Sequence, residues 1–172
     1  MVTISKEVYK LNNDQNILNY SSHLAASADI LWKHALCMTN VNTELHPLIK
    51  MTFPKNQNYL NIKKDQLGAA IFKSIILLFG IIPIDIYKVT FIEFEEGKYF
   101  QECSPTLTQR CWKHRREIIP VPGGCTIRDR IELEPRNKLL RPIYYWFAKK
   151  IFNTRHKNLQ RLFGHEMFLK QK

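Results

Sequence analysis

Acidic residues are nearly absent from the end of this chain. Past residue 135 there is one carboxylate, Glu166, against ten lysines and arginines. Of the formal charge of +11, +9 is carried by residues 136–172 and only +2 by residues 1–135. The basic character therefore belongs to one segment. Such a face suits a membrane surface, an anionic ligand or nucleic acid, and its simplest reading is a solvated helix face. Cysteine is also sparse. Cys37, Cys103, Cys111 and Cys125 are scattered without a C-x-x-C pair, which points to four reduced thiols in or near the core. The six histidines form no H-E-x-x-H or H-x-x-x-H pattern beside a cysteine pair, so neither a metal nor a cofactor is expected.

Long apolar runs are missing too. The greasiest stretch, Ile75 to Ile84, is interrupted by Gly80 and Pro83 and is too short to span a bilayer. The start, Met1 to Asn16, lacks the basic opening and apolar run of a signal peptide, and a cytoplasmic protein is expected. There is no internal repeat and no low-complexity tract. At 172 residues the chain is long enough for one domain with a core and an internal cavity. Its ordered part is expected over about 17–164, with 165–172 a tail.

Local patterns give an order of elements. Ile17 to Ala25 reads as a strand. Ser27 is an N-cap for a helix to about Leu36, with Asp29 in its first turn. A second short helix spans Asn40 to Leu45 and stops at His46-Pro47. Leu48 to Phe53 reads as a strand and Asn56 to Lys64 as a loop or weak strand. Leu67 to Ile84 is continuously apolar, so periodicity alone leaves strand and helix both open. Strands follow at Ile86 to Phe94, Lys98 to Ser104, Gln109 to Ile119 and Cys125 to Leu133, with turns at Glu95-Glu96-Gly97, Pro105 to Thr108 and Val121 to Gly124. Leu139, Leu140, Ile143, Phe147, Ile151, Asn158, Leu159 and Leu162 then follow helical spacing. Pro142 fits only a first turn, so the helix starts near Arg141, and Gly164 is a C′ residue for its end. Hairpin-linked strands must bury one face, and the final helix is the only element long enough to cover it. The class is α+β: a curved antiparallel sheet under a long C-terminal helix.

The last hairpin yields geometry. With Pro120 opposite Cys125, Ile118 faces Ile127, Arg116 faces Asp129, His114 faces Ile131 and Trp112 faces Leu133, all on one side. That side is apolar, so it is the inner face, and it carries Arg116, Asp129 and His114. The preceding hairpin is expected to align Ser104 with Arg110, Glu102 with Trp112 and Phe100 with His114, which adds Glu102 to the cluster. Two readings stand side by side. In one, these four groups satisfy each other and brace the sheet, since buried charges rarely sit unpaired. In the other, they are polar handles of an apolar ligand pocket. For Arg116 and His114 the two are level; for Asp129 pairing comes first. Catalysis by His114 as a general base is the minority reading, because no nucleophile is placed beside it.

These residues resemble a known family. Trp112-Lys113-His114-Arg115-Arg116, Val121-Pro122-Gly123-Gly124, Thr126-Ile127-Arg128-Asp129-Arg130-Ile131 and Phe152-Asn153-Thr154-Arg155-His156-Lys157-Asn158-Leu159 look like the START-like, or SRPBCC, superfamily. It includes birch-pollen-allergen-like proteins, polyketide cyclases/aromatases and coenzyme Q-binding proteins. The resemblance covers roughly Ile17 to Gly164. Gly80-Ile81-Ile82-Pro83-Ile84-Asp85 with Phe100-Gln101-Glu102-Cys103-Ser104 look like a bacterial branch of it. It implies the helix-grip fold: one strand, two short helices, six more strands and a long helix, with Leu67 to Ile82 as strand. It also implies a hydrophobic cavity under that helix. Members carry lipids, sterols, quinones or polyketides, and a minority catalyse cyclisation or dehydration. The fold alone names no activity.

The resulting expectation is a cavity that binds a hydrophobic or amphipathic small molecule. Its candidate lining is Trp32, Phe91, Phe100, Glu102, Trp112, His114, Arg116, Ile127, Asp129, Ile131, Phe147 and Ile151. The alternatives are a cyclase/dehydratase in which His114, Glu102 or Arg116 polarises a carbonyl, and a structural module whose cavity is filled by its own side chains. A basic surface of Arg141, Lys149, Lys150, Arg155, Lys157 and Arg161 suits peripheral contact with an anionic membrane. Nucleic acid is disfavoured, because Tyr144, Tyr145 and Trp146 lie on a helix that needs them for packing.

Overall fold

The computed structural model describes residues 17–164; the polar start and the expected tail lie outside the described residues. Strand β1 (Ile17–Leu24) leads to helices α1 (Ala28–Ala35) and α2 (Met38–Leu45), then to β2 (Ile49–Met51), β3 (Ala70–Leu78), β4 (Ile82–Glu95), β5 (Tyr99–Ser104), β6 (Gln109–Val121), β7 (Gly124–Pro135) and helix α3 (Arg141–Phe163). The seven strands form one antiparallel sheet in the order β1-β7-β6-β5-β4-β3-β2. Helix α3 packs on β1, β7 and α2. The chain has the helix-grip fold.

The helix starts follow local chemistry. Ser27 caps α1, its Oγ accepting the Ile30 N–H at 3.4 Å, with Asp29 in the first turn. Pro142 sits in the first turn of α3, where its missing N–H costs nothing. The end of α3 is tied to β1, as Ala25 N–H donates to the Phe163 carbonyl at 2.7 Å. Gly164 ends the helix with φ −79°, so the left-handed C′ geometry expected there is not used.

Leu67 to Ile82 is not one strand. β3 stops at Leu78, and Phe79 and Gly80 take positive φ (52° and 76°) to turn the chain into β4, which starts at Ile82, ahead of the expected Ile86. β2 is likewise only three residues of the expected Leu48 to Phe53. The β6–β7 register is as expected, from Pro120 opposite Cys125 to Trp112 opposite Leu133. Its turn is tighter than expected: Val121 pairs with Gly124, leaving Pro122-Gly123 as a two-residue loop.

The β5–β6 register differs by two residues. Ser104 faces Trp112, Glu102 faces His114 and Phe100 faces Arg116. After Ser104 the chain runs on beside β4, where Lys88 N–H reaches the Pro105 carbonyl at 3.0 Å and Tyr87 bridges Thr106. The turn therefore falls later. A shift of two keeps every side chain on its face, so Glu102 still points inward. Cys103 and Cys111, which the expected register sets opposite each other, stay within 5.2 Å, Cα to Cα, after the shift and form a disulfide. The expectation of four free thiols fails for this pair: motif spacing carried no sign of it, whereas the hairpin alignment did. Cys37 and Cys125 are free and buried, and burial pushes the Cys125 thiol up to about 11.

The α3 stripe is rotated from the sequence reading. Ala148, Phe152, Arg155, His156, Leu159 and Phe163 are its buried residues, whereas Leu139, Leu140 and Ile143 are exposed. Leu139 and Leu140 lie in a short 3-10 turn before the helix, outside its periodicity.

Gly124 tests the docking of the last hairpin. A Cβ there would lie against the Leu24 carbonyl of β1, whereas one at Gly97, also at positive φ, would meet nothing. Gly97→Ala should cost only the left-handed backbone penalty, about 1–2 kcal/mol. Gly124→Ala should cost clearly more in urea unfolding, since β1 must also move. Equal losses would mean that β1 is not held against this hairpin.

Candidate functional site

The inner face of the sheet carries a buried charge network centred on Arg116, which is 0% exposed. Its Nε and Nη2 donate to Asp129 Oδ1 and Oδ2, each at 2.8 Å, a bidentate pair across the β6–β7 ladder. Its Nη1 donates to both oxygens of Glu44, at 3.1 and 3.0 Å. Glu44 comes from α2, so the guanidinium joins helix to sheet. Arg155 of α3 closes on the same carboxylate, with Nε at 2.9 Å and Nη2 at 2.7 Å from Oε2. Burial alone would raise the Glu44 pKa; Arg116 and Arg155 overcome this and hold it well below the usual carboxylate range. Asp129 is likewise held down against its burial by Arg116 and His114. Burial disfavours the Arg116 charge, but Asp129 and Glu44 more than offset it.

His114 sits between two carboxylates. Nε2 lies 2.9 Å from Asp129 Oδ1 and Nδ1 lies 2.8 Å from Glu102 Oε1. A neutral imidazole has one N–H and could satisfy only one of them, so the geometry calls for the imidazolium. Burial pulls its pKa down, yet Asp129 and Glu102 pull harder and the net shift is upward. His156 of α3 has milder demands. Nε2 donates to Asp129 Oδ2 at 3.0 Å, and Nδ1 pairs with the Ser22 hydroxyl at 2.7 Å, which a neutral ring satisfies. Glu102 also accepts the Tyr87 hydroxyl at 2.8 Å and that of Ser104 at 3.3 Å. Burial, then the Glu102 charge, pushes the Tyr87 phenol well up.

Beside this network lies a cavity of about 160 Å³, walled by α1, α2, α3 and strands β2 to β6. Of the residues singled out from sequence, Phe91, Phe100, Glu102, Trp112, His114, Phe147 and Ile151 border it. Arg116, Ile127, Asp129 and Ile131 share the inner face but do not border it; Arg116 and Asp129 lie behind His114 and Glu102, closed off by their own pairs. Trp32 packs into the core against Phe94 and Phe100 instead. Arg155, expected on the basic surface, is buried and borders the cavity, because it shares a face with Phe152 and Leu159. Lys149, Lys150, Lys157 and Arg161 are exposed, and Arg141 is half-buried.

Sequence reasoning missed Glu44, Tyr87, Arg155 and His156 as members of the site. Glu44 had a signal: it falls at helical spacing with Met38, Val41 and Leu45, on the apolar side of α2. So did Arg155 and His156, three and four residues after Phe152. Among the described residues no cluster of His, Cys, Asp and Glu is arranged to hold a metal, and no helix is long and apolar enough to cross a membrane.

The family described as a domain of unknown function, DUF8410, matches residues 22–163. The chain belongs to this family. No curated protein matches it in sequence. Solved structures share the fold of this DUF8410 chain at low identity. A START superfamily protein from Mycobacterium smegmatis is 11% identical with a TM-score of 0.60, covering 87% of this chain and 97% of its own. Norcoclaurine synthase from Thalictrum flavum, solved with dopamine and hydroxybenzaldehyde, is 13% identical with a TM-score of 0.57 (91% and 87% covered). Ara h 8.0201 is 10% identical with a TM-score of 0.52 (84% and 97%). The likeness is one of fold: this DUF8410 chain has the same helix-grip architecture as these proteins.

Removing one partner of the buried network leaves an unpaired charge, so Arg116→Met should cost about 3–5 kcal/mol in urea unfolding. A loss under about 1 kcal/mol, the scale of an exposed pair, would show the network to be solvated.

The network also sets a pH profile. Glu44 and Asp129, with depressed values, contribute stability present above the unfolded carboxylate range, about pH 4, and lost as pH falls. His114, with a raised value, contributes stability fully present below about pH 6.5 and lost as pH rises through its folded value. The unfolding free energy should therefore peak between these limits, and His114→Gln should remove the alkaline decline. A wild-type profile rising steadily from neutral to alkaline pH would contradict the imidazolium.

Proposed function

We propose that this protein binds a small amphipathic molecule, with an apolar body and one acceptor end, in the cavity between sheet and α3. One observation carries the reading. Arg155 borders the cavity and spends Nε and Nη2 on Glu44, while its Nη1 has no hydrogen-bond partner among the described residues. The wall around it is otherwise mostly aromatic and aliphatic: Met38, Leu60, Val89, Phe91, Phe100 and Phe152. An apolar site with few convergent polar groups is the usual make-up of a ligand pocket. A carbonyl or carboxylate oxygen is the group that the spare guanidinium N–H would meet.

Size narrows the class. Small-molecule sites usually enclose about 300–1,000 Å³, and 160 Å³ is nearer the room for a single ring. A one-ring quinone-like molecule or the head of a fatty acid with its tail in the opening fits better than a whole sterol. The cyclase/dehydratase alternative has weaker support. Both nitrogens of His114 are committed to carboxylates, so a base would have to come from elsewhere.

Displacement of a fluorescent apolar dye tests this. A medium-chain fatty acid or a benzoquinone should displace it, and the acid should compete at least tenfold better than its parent alkane, since an assisted hydrogen bond is worth roughly 1.5–3 kcal/mol. Ile151→Trp, which fills the cavity from a half-buried position, should abolish displacement while leaving the melting temperature near wild type. Absence of displacement by either probe, with no apolar passenger in a native mass spectrum, would sink the reading.

A further inference from the structure

Apart from Tyr59, the most exposed large apolar side chains are gathered at three places. Phe79 and Ile81 stand at the tip of the β3–β4 hairpin, Leu107 in the β5–β6 turn, and Leu139, Ile143 and Trp146 at the entry to α3; Ile81 is 76% and Leu139 88% exposed. Hydrogen bonds join these places into one rim. Asp85, next to Ile84, accepts the Leu107 N–H at 2.8 Å and the Thr108 hydroxyl at 2.6 Å, which fastens the turn to β4. Arg136 donates its N–H to the Thr108 carbonyl at 3.0 Å and its Nε to the Thr106 carbonyl at 3.2 Å, which fastens the turn to the segment entering α3. Ile84, Thr108 and Tyr144 each border the cavity, and Ile84 is itself exposed, so the cavity reaches the surface inside this rim.

Charge of one sign surrounds the rim on the helix side. Arg136, Lys138, Lys149 and Lys150 are exposed, and residues 136–164 hold no acid. Lys149 and Lys150 lie over the rings of Tyr145 and Trp146, at 5.2 and 5.7 Å. Apolar tips, aromatic rings and ammonium groups side by side match the three zones of a bilayer surface: acyl boundary, interface and phosphate layer. A protein partner would not need the run of positive charge on the helix side, and a second copy of this chain would bring those like charges together.

We propose that this rim is a docking surface for an anionic phospholipid bilayer, which sets the mouth of the cavity against the lipid. The phenyl, isoleucine and leucine tips enter the acyl boundary, and the lysines and arginines meet the phosphates. Docking does not depend on the cavity being a ligand site, since it uses only the outside of the rim.

Vesicle sedimentation with the full chain tests it, using phosphatidylcholine vesicles with and without phosphatidylglycerol and no other ligand. The protein should partition onto the anionic vesicles and come off as salt rises. Ile81→Glu with Leu139→Glu should weaken partitioning about tenfold or more, at an unchanged melting temperature because both sites are exposed. Lys149→Glu with Lys150→Glu should remove the preference for anionic lipid. Equal binding to neutral vesicles, or no effect of the Ile81 and Leu139 changes, would overturn the proposal. So would sedimentation velocity showing a dimer that those two changes dissociate, which would assign the rim to self-association.

Discussion

A guanidinium with no exposure is the constraint on which the rest of this structure depends. Arg116 cannot lose its proton, so burial obliges the fold to supply negative charge on several sides at once. Asp129 is within reach because the β6–β7 register puts it opposite. Glu44 must come from outside the sheet, which fixes where α2 lies. Glu44 in turn needs more than one cation, and Arg155 reaches it from α3. Asp129 draws His156 from the same helix. Two elements that share few backbone contacts with the sheet centre are thus located by ion pairs rather than by packing alone.

Hydrogen-bond count identifies the state of His114. Its two ring nitrogens face the carboxylates of Asp129 and Glu102, and only an imidazolium donates to both. Burial lowers the pKa of the ring, but the two carboxylates outweigh it and raise the pKa, which favours the same state. The ring is therefore better described as a brace between β5 and β7 than as a poised base.

How much of this was legible depended on what each turn disclosed. The β6–β7 register could be read because long apolar alternation on both strands tolerates only one alignment, and Arg116 opposite Asp129 followed from it. The β5–β6 register could not. Pro105 to Thr108 looks like a turn, but nothing in it reveals that the chain first runs on beside β4. The Cys103–Cys111 disulfide was not hidden by that miscount, since the expected alignment of Ser104 with Arg110 already sets the two cysteines opposite each other. Glu102 was nonetheless placed on the right face, since an error of two residues preserves parity. On α3, Leu139 and Ile143 drew the apolar stripe toward a face that is in fact exposed, and Arg155 was assigned to the wrong side. The positive run concealed it: one buried arginine among surface basic residues carries no mark of its own, and only its carboxylate partner on a distant helix distinguishes it.

That partner also links bracing to binding. α2 and α3 form two walls of the cavity, and both are held through Glu44. The cavity's width between them is therefore set by where one carboxylate can satisfy two guanidinium groups. An acceptor arriving at Arg155 Nη1 would add a second oxygen beside a guanidinium bonded to Glu44 Oε2 alone, without displacing either Glu44 bond. It would lower the electrostatic cost of burying Arg155 and leave the Arg116 centre untouched. The network need not choose between bracing the sheet and greeting a ligand. Asp129 and His114 have no bonding capacity left for a ligand and Arg116 does not border the cavity, whereas Arg155, at the edge of the network, has its Nη1 N–H groups to give.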